Sequence, residues 1–392
     1  MATHIEKKRK VFPLYNKGDI YDVAIIGGGL AGLALAIQLS AAKHKVVLFE
    51  KEEYPFHKVC GEYISLESWD FLENLGVDLN RLNVSHITKL QVSTVEGKLL
   101  EQFLPLGGFG ISRYVLDTIL AQLAKSNGVT LLENTKVNDI IFKEDGFYID
   151  AVKKYTAKIV CASYGKRSNI DIKWKRPFTA ALKNKLSNYI GVKYHIKTNF
   201  PDDTIALHNF ENGYCGVVKI EADKYCLCYL TTAANLEKSG GSIKAMEENI
   251  LSKNPHLQQL LNESERLYDT PLTISQISFE KKSQIENHVL MIGDAAGMIT
   301  PLCGNGMSMA LHGSKLAAKA IDSYLKGRIN RSKMEQRYCK QWQLKFSKRL
   351  KMGRRIQSLL GRGKITSLFI RLLKPFPELI NFLIRQTHGK SF

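Results

Sequence analysis

The sequence predicts an α/β protein: a first domain on a parallel sheet, a β-rich (α+β) insert within it, and a helical C-terminal segment. Three observations carry this. Gly27-x-Gly29-x-x-Gly32 joins an apolar run to a helix-forming run. From about Asp171 to Thr273 the pattern turns β-rich, and the apolar stretch His288–Asp294 then resumes the earlier style. From Arg331 onward, apolar residues recur at helical spacing among an excess of cations.

Val23 to Ile26 read as a buried strand, and Leu33 to Leu39 as a helix of good formers. Glycines between them let the backbone approach a pyrophosphate and aim a helix N-terminus at it, which makes the first domain Rossmann-like. The second strand, Val46–Phe49, ends in Glu50, 23 positions after Gly27, where a carboxylate should meet the adenosine ribose hydroxyls. An acid there disfavours a 2′-phosphate, which argues against NADP in this site. A Gly-rich turn beside an unrelated surface glutamate would not hold strand, glycines, helix and acid in this register.

Further along, Ile87 to Val95 alternates and Glu96-Gly97 suggests a turn. Arg113 to Ala124 reads as a helix with Val115, Leu116, Ile119, Leu120 and Leu123 on one side. Val129 to Val137 resumes strand character, Asp145-Gly146 marks a hairpin within Ile140–Ala151, and Ile159–Ala162 is a short buried strand. A helix near Ser242–Leu251 interrupts the insert, and a longer one, about Met307 to Leu325, follows the return. The expected divisions are 20–75, 98–170 and 275–330 for the dinucleotide-binding domain and 76–97 with 171–274 for a substrate domain. A basic tail, 1–19, and the segment 331–392 complete the chain.

The 392 residues, 44% hydrophobic and 24% charged, suffice for two domains with real cores. No run of 18 apolar residues appears, so no membrane-spanning helix is expected, and Met1–Lys10 lacks the apolar centre of a secretory signal. Cysteines 60, 161, 215, 226, 228, 303 and 339 are odd in number and scattered, which fits a reduced, cytoplasmic chain. Cys226-x-Cys228 would face one side of a strand; without further ligands nearby, packing rather than a metal is expected.

The net charge of +19 is unevenly placed: residues 331–392 hold 16 Lys and Arg against Glu335 and Glu378. Ile365, Leu368, Phe369 and Leu372 fall at i, i+3, i+4, i+7, and after Pro375 and Pro377 the residues Phe376, Leu379, Ile380 and Leu383 repeat the pattern. Two readings stay open. The pair lies on an anionic membrane surface through 345–392, making the protein peripheral on the inner face, or it packs on the body with its charges solvated. No nucleic-acid module is recognisable, and no nucleic-acid partner is expected.

Three separated segments, in order, resemble the flavoprotein group of para-hydroxybenzoate hydroxylase and geranylgeranyl reductase over about residues 20 to 325. They are the Gly27–Gly32 turn with Glu50, Ile111-Ser-Arg113-x-x-Leu-Asp117, and Met291-Ile-Gly293-Asp294-Ala-Ala-Gly297 followed by Pro301 and Gly304-Asn-Gly306-Met307. The resemblance implies FAD. Arg113 would place a guanidinium on the pyrophosphate, and Asp294 would accept from ribityl or ribose hydroxyls. Gly304 and Gly306 would admit the isoalloxazine ring to a helix N-terminus, which favours the anion of the reduced flavin. It also implies cofactor contacts at Gly27, Gly29, Gly32, Glu50, Lys51, Lys58, Val137, Gly293 and Met307.

Two segments depart from the group. Cys161-Ala-Ser163-Tyr164-Gly165-Lys166-Arg167-Ser168 carries Tyr164 where the hydroxylases have an acid in Gly-Ala-Asp-Gly-x-x-Ser. Gly213-Tyr214-Cys215-Gly216-Val217-Val218-Lys219 keeps only the Tyr of the reductases' Tyr-x-Trp-x-Phe-Pro. Lys58-Val-Cys60-Gly61-Glu62 resembles the reductase side, where Cys-Gly lies near the flavin face. Cys60 could give a proton or pack, and Glu62 could act as acid or base if partly desolvated. The resemblance implies an FAD-dependent oxidoreductase acting on a lipophilic small molecule, reducing carbon–carbon double bonds, with hydroxylation of an aromatic or polyketide substrate as the alternative. A surface-binding protein with a structural flavin is a third reading. No second Gly-x-Gly-x-x-Gly exists, so NADPH or NADH would visit transiently as the electron donor.

Overall fold

The computed structural model describes residues 20–181, 189–301, 304–358 and 364–392. The basic tail 1–19 and Cys303 lie outside them. Two sheets organise these residues. The first has eight strands around a parallel centre in which Ile20–Ile26 lies between Val46–Phe49 and Lys154–Ala162. Val23 pairs with Val46 on one side and Ile159 on the other. Val289–Met291 joins the far side of Lys154–Ala162, with Leu290 opposite Cys161. Strands covered on both faces must be apolar throughout, which is why these segments read as continuous hydrophobic runs rather than alternating ones.

Helix Leu30–Ala41 buries nine residues, including Leu33, Leu35 and Leu39, against this sheet. It ends where Lys43 takes a left-handed φ of 69° and donates its N–H to the Ser40 carbonyl. Helix Arg113–Ser126 starts at Ser112, whose hydroxyl accepts from the Val115 N–H at 3.1 Å, and stops before Gly128 at φ 85°. Its buried residues include Leu116, Leu120 and Ala124, four apart along one face. The hairpin Asp139–Lys143/Gly146–Asp150 turns on Glu144 and Asp145, both at φ 55°, so Gly146 opens the return strand instead of sitting in the turn.

The second sheet has nine strands, and Tyr189–Lys197, Thr204–Phe210, Gly213–Lys219 and Tyr225–Thr232 form its bulk. It reaches further back along the chain than the segment 76–97. Ser85–Ser93 pairs antiparallel with Leu99–Gly110, and the latter with Tyr63–Ser65. The turn at Gly97 (φ 82°) forces this, because a tight turn returns the chain beside the strand it left. Cys226 and Cys228 pack in one small apolar cluster with Tyr63, Ile87 and Val218.

The C-terminal segment divides in two. Helix Arg331–Gln357 buries Met334, Tyr338, Trp342, Phe346 and Leu350, four apart along one stripe, and the Tyr338 hydroxyl donates to the Met291 carbonyl at 2.6 Å. The short helices Lys364–Leu373 and Pro377–Thr387 follow. Their inner faces bury Ile370 and Ile380 in a cluster with Leu100, while Ile365, Leu368, Leu372, Leu379 and Phe382 point outward and exposed. The apolar residues of the pair thus split between two faces, so it both packs on the body and presents an apolar surface.

Candidate functional site

The glycine turn is built for an anion. Gly27 has φ 105°, and a Cβ at Gly32 would sit 2.1 Å from the Gly27 carbonyl oxygen, so both positions demand glycine. Gly29 differs: a Cβ there would meet only Arg113 Nη2, at 3.7 Å. As N-cap of helix Leu30–Ala41 it offers no side-chain acceptor, leaving the first N–H groups of the helix directed at open space beside a guanidinium. Arg113 Nε and Nη2 both donate to the Asp117 carboxylate at 2.8 Å, and Lys58 Nζ donates to the same group at 2.9 Å. Although burial pushes the Asp117 carboxyl up, Arg113 and then Lys58 outweigh it and hold the group ionised. Two cations on one carboxylate leave the Arg113–Lys58–Asp117 group with a net positive charge beside the turn.

Glu50 is buried, and its carboxylate accepts from the Gly28 and Lys51 N–H groups at 2.8 Å and from the Glu52 N–H at 3.1 Å. The Thr135 N–H donates to the Glu50 carbonyl at 2.8 Å, bringing the strand end and buried Val137 to the same side. Lys51 points away, exposed and paired with Glu52 at 3.1 Å. Tyr54, on which sequence reasoning was silent, donates its hydroxyl to the Gly28 carbonyl.

The third segment closes on the first. Gly293 (φ 61°) approaches helix Leu30–Ala41 so closely that a Cβ would lie 3.1 Å from Ala31 Cβ. The Asp294 carboxylate makes no hydrogen bond or ion pair among the described residues. Burial raises its pKa against the opposing charges of Lys282, Arg113 and Lys166. Lys282 Nζ donates to the Asp294 carbonyl at 2.8 Å, and burial pushes its ammonium down to about 8. Gly304 has φ 60°, and helix Gly306–Leu325 starts at Asn305 without a side-chain cap, with Met307 buried in its first turn.

A carboxylate without a partner among the described residues, two helix N-termini without side-chain caps and a cationic cluster beside the first turn fit a dinucleotide carrying a flavin. Gly27, Gly29, Gly32, Glu50, Lys58, Arg113 and Val137 gather at the first turn, and Gly293, Asp294, Gly304, Gly306 and Met307 at the second.

The comparisons with known proteins agree. The profile described as FAD dependent oxidoreductase matches residues 22–58. Over 388 residues the chain is 26% identical to conditioned medium factor receptor 1 of Dictyostelium discoideum, covering 90% of this chain and 73% of that one. It is 23% identical to digeranylgeranylglycerophospholipid reductase of Methanococcus vannielii, covering 88% and 87%. A solved flavin-dependent brominase superposes with a TM-score of 0.76 at 19% identity, covering 95% and 94%.

The chain is an FAD-dependent oxidoreductase.

In this oxidoreductase Glu62 is fully buried, at φ 56°. Its carboxylate accepts from the Arg113 N–H at 2.7 Å and from Lys193 Nζ, and it bonds His195 Nε2 at 2.7 Å. Burial raises its pKa, but the His195 hydrogen bond and the Lys193 charge outweigh that and hold it below the usual carboxylate range. Such a group fixes its neighbours; it does not hand over a proton near neutral pH. The Glu62, His195 and Cys226 donor atoms lie within 4.8 Å of one another, but the Lys193 ammonium already supplies the cation, and burial keeps the Cys226 thiol protonated. Cys60 is half-buried, and burial likewise raises its thiol. His57 stacks on Tyr114 at 4.6 Å. Tyr164, which replaces the hydroxylase acid, donates to Asp171 at 2.6 Å, and Asp171 pairs with fully buried Arg176 at 2.8 Å.

Sequence reasoning also passed over Tyr63. Its ring lies against Gly304, where a Cβ would come within 2.9 Å of it. It is 5% exposed, and its hydroxyl is buried with no hydrogen-bond partner among the described residues. It borders a cavity of about 140 Å³ lined by Leu90, Leu104, Leu207, Phe369, Leu383 and Gly304. No helix among the described residues is long and apolar enough to cross a membrane.

Proposed function

We propose that this oxidoreductase reduces carbon–carbon double bonds of a lipophilic substrate. The observation that supports it is the apolar cavity between the second sheet and the C-terminal helix pair, which reaches Gly304, two residues before helix Gly306–Leu325. A hydrocarbon chain satisfies such walls, whereas a polar substrate would strand its groups without partners. Bound FAD, once reduced, supplies a hydride. The residues that would hold it are those of the two turns, with Arg113 and Lys58 at the pyrophosphate and Asp294 at the flavin half.

The second carbon needs a proton, and Tyr63, on the cavity wall, carries a phenol able to give one. Burial raises the phenol well above its ordinary value, so it stays protonated, and its hydrogen has no competing acceptor among the described residues. Tyr63 also borders a cleft of about 840 Å³ that opens to solvent. NADPH or NADH would deliver electrons from solution, since the chain has a single Gly-x-Gly-x-x-Gly turn.

The test is anaerobic. Chemically reduced holoenzyme mixed with a polyprenyl lipid should regain its oxidised flavin absorbance and yield a product two mass units heavier per bond reduced. Tyr63→Phe should keep flavin and lose turnover by about 10²–10⁴-fold. No reoxidation by any polyprenyl or other lipid alkene counts against the reading. Turnover only with oxygen, giving a hydroxylated product, would establish the monooxygenase alternative.

A further inference from the structure

We propose that the outer face of the C-terminal helix pair docks on an anionic lipid surface. Ile365, Leu368, Leu372, Phe376, Leu379 and Phe382 are between 45% and 60% exposed, six large apolar side chains within 18 residues. A monomer in water does not leave such a row uncovered without cause. Nor is the row a by-product of packing, since Ile370 and Ile380 already hold the pair to the body from the opposite side.

Charge selects the occupant. Residues 364–392 carry five Lys and Arg against one acid, Glu378. Arg371, Lys374, Arg385 and Lys390 are exposed and have no ion-pair partner among the described residues. Arg371 lies one residue from Leu372 and three from Leu368, where a long side chain can reach lipid phosphates while the leucines enter the acyl boundary. Beside the pair, the large cleft extends the same field with Lys319, Arg337, Lys345 and Arg385 on its walls. A protein partner would need a dense acidic patch around an apolar centre; an anionic bilayer presents that combination by construction.

The pair is also tied to the cofactor end. Asn305 Nδ2, at the cap of helix Gly306–Leu325, donates to the Thr387 carbonyl at 2.8 Å, and Gln102 Nε2 donates to Asn381 Oδ1 at 3.0 Å. The inner faces of the same helices supply Phe369, Leu373, Leu383 and Ile384 to the apolar cavity. Docking therefore sets that cavity one helix thickness from the bilayer. The docking itself does not depend on the reaction proposed above and is read without turnover.

The experiment is cosedimentation of full-length holoenzyme with vesicles of phosphatidylcholine alone or with about one phosphatidylglycerol in three lipids. Each cation at the surface adds about fivefold, so the anionic vesicles should bind at least about a hundredfold better, with loss at high salt. Leu368→Glu/Leu379→Glu/Phe382→Glu should abolish binding while flavin content and melting temperature hold. Should that triple variant unfold, Arg371→Glu/Lys374→Glu carries the same test through the charge. Equal binding to neutral vesicles, no binding to either, or wild-type binding by the variants overturns the proposal. So does a dimer of the native chain that the triple variant dissolves, because the face then covers a second copy.

Discussion

Glu62→Gln separates a structural carboxylate from a chemical one. The substitution keeps the shape and removes the charge, leaving the Lys193 ammonium, 0% exposed, without a counter-charge and held by neutral oxygens such as the Lys58 carbonyl at 3.1 Å. Stripping one partner from a buried ion pair costs about 3–5 kcal/mol. At about 2 °C per kcal/mol for a chain of this size, melting falls by about 6–10 °C. Glu62→Gln/Lys193→Met removes both charges and strands neither, so the double variant should melt no lower than the single, a coupling of about 1–3 kcal/mol. The assay is thermal unfolding of holoenzyme followed by flavin fluorescence, with turnover measured in parallel. The sign of the pH effect follows from the same site. The carboxyl is held below its ordinary value, so its contribution is complete above about pH 4.5 and is lost as pH falls through the folded value. A Glu62→Gln enzyme that melts within about 1 °C of the native one yet has lost turnover would refute the structural assignment.

The two key glycines should fail differently. Gly32→Ala drives a Cβ to 2.1 Å from a backbone oxygen and should yield little folded protein, whereas Gly29→Ala has room and should fold but retain less FAD, as the visible spectrum of each will tell. Asp294→Asn removes a carboxylate whose ionised form burial disfavours, so the flavin-free protein should melt no lower while FAD binding weakens about tenfold or more by fluorescence titration. An equal loss of both would show that Asp294 serves the fold. His208 and His312 are held neutral, each pushed down to about 3, foremost by burial, with His256 beside the first and Arg349 the leading cation beside the second. Because these folded values lie below 6.5, their contribution is complete above that pH and is lost below it, at up to about 1.4 kcal/mol per unit and residue. His312→Phe should therefore flatten the acid limb of the stability curve, measured by denaturant unfolding between pH 4 and 6.5; an unchanged slope contradicts the neutral assignment.

What could be read from the sequence was what backbone geometry fixes locally. Gly27, Gly29, Gly32, Arg113 and Asp294 are set by turns and helix starts whose residue requirements do not depend on distant packing, and the structure gathers them accordingly. The neighbours of Glu62 were illegible because Lys193 and His195 lie more than 130 positions away, and nothing local demands them. A signal did exist. Two basic residues, Lys193 and His195, at i and i+2 in the otherwise buried strand Tyr189–Lys197 point to one face, and a buried ammonium there requires a buried acid. Tyr63 left no such trace, because an orphaned hydroxyl becomes visible only once its surroundings are assembled. The C-terminal pair lies between these cases. Its apolar spacing was legible, but spacing alone groups Leu368 with Phe369 and cannot say that Ile370 turns inward. That choice is made by strand Leu99–Gly110, whose Leu100 meets Ile370 and Ile380, and it leaves Leu368 and Leu372 on the far side. A helix of ten residues with apolar side chains on two faces would not hold its shape alone in water. It persists here because one face is anchored, and that anchoring keeps the other presented.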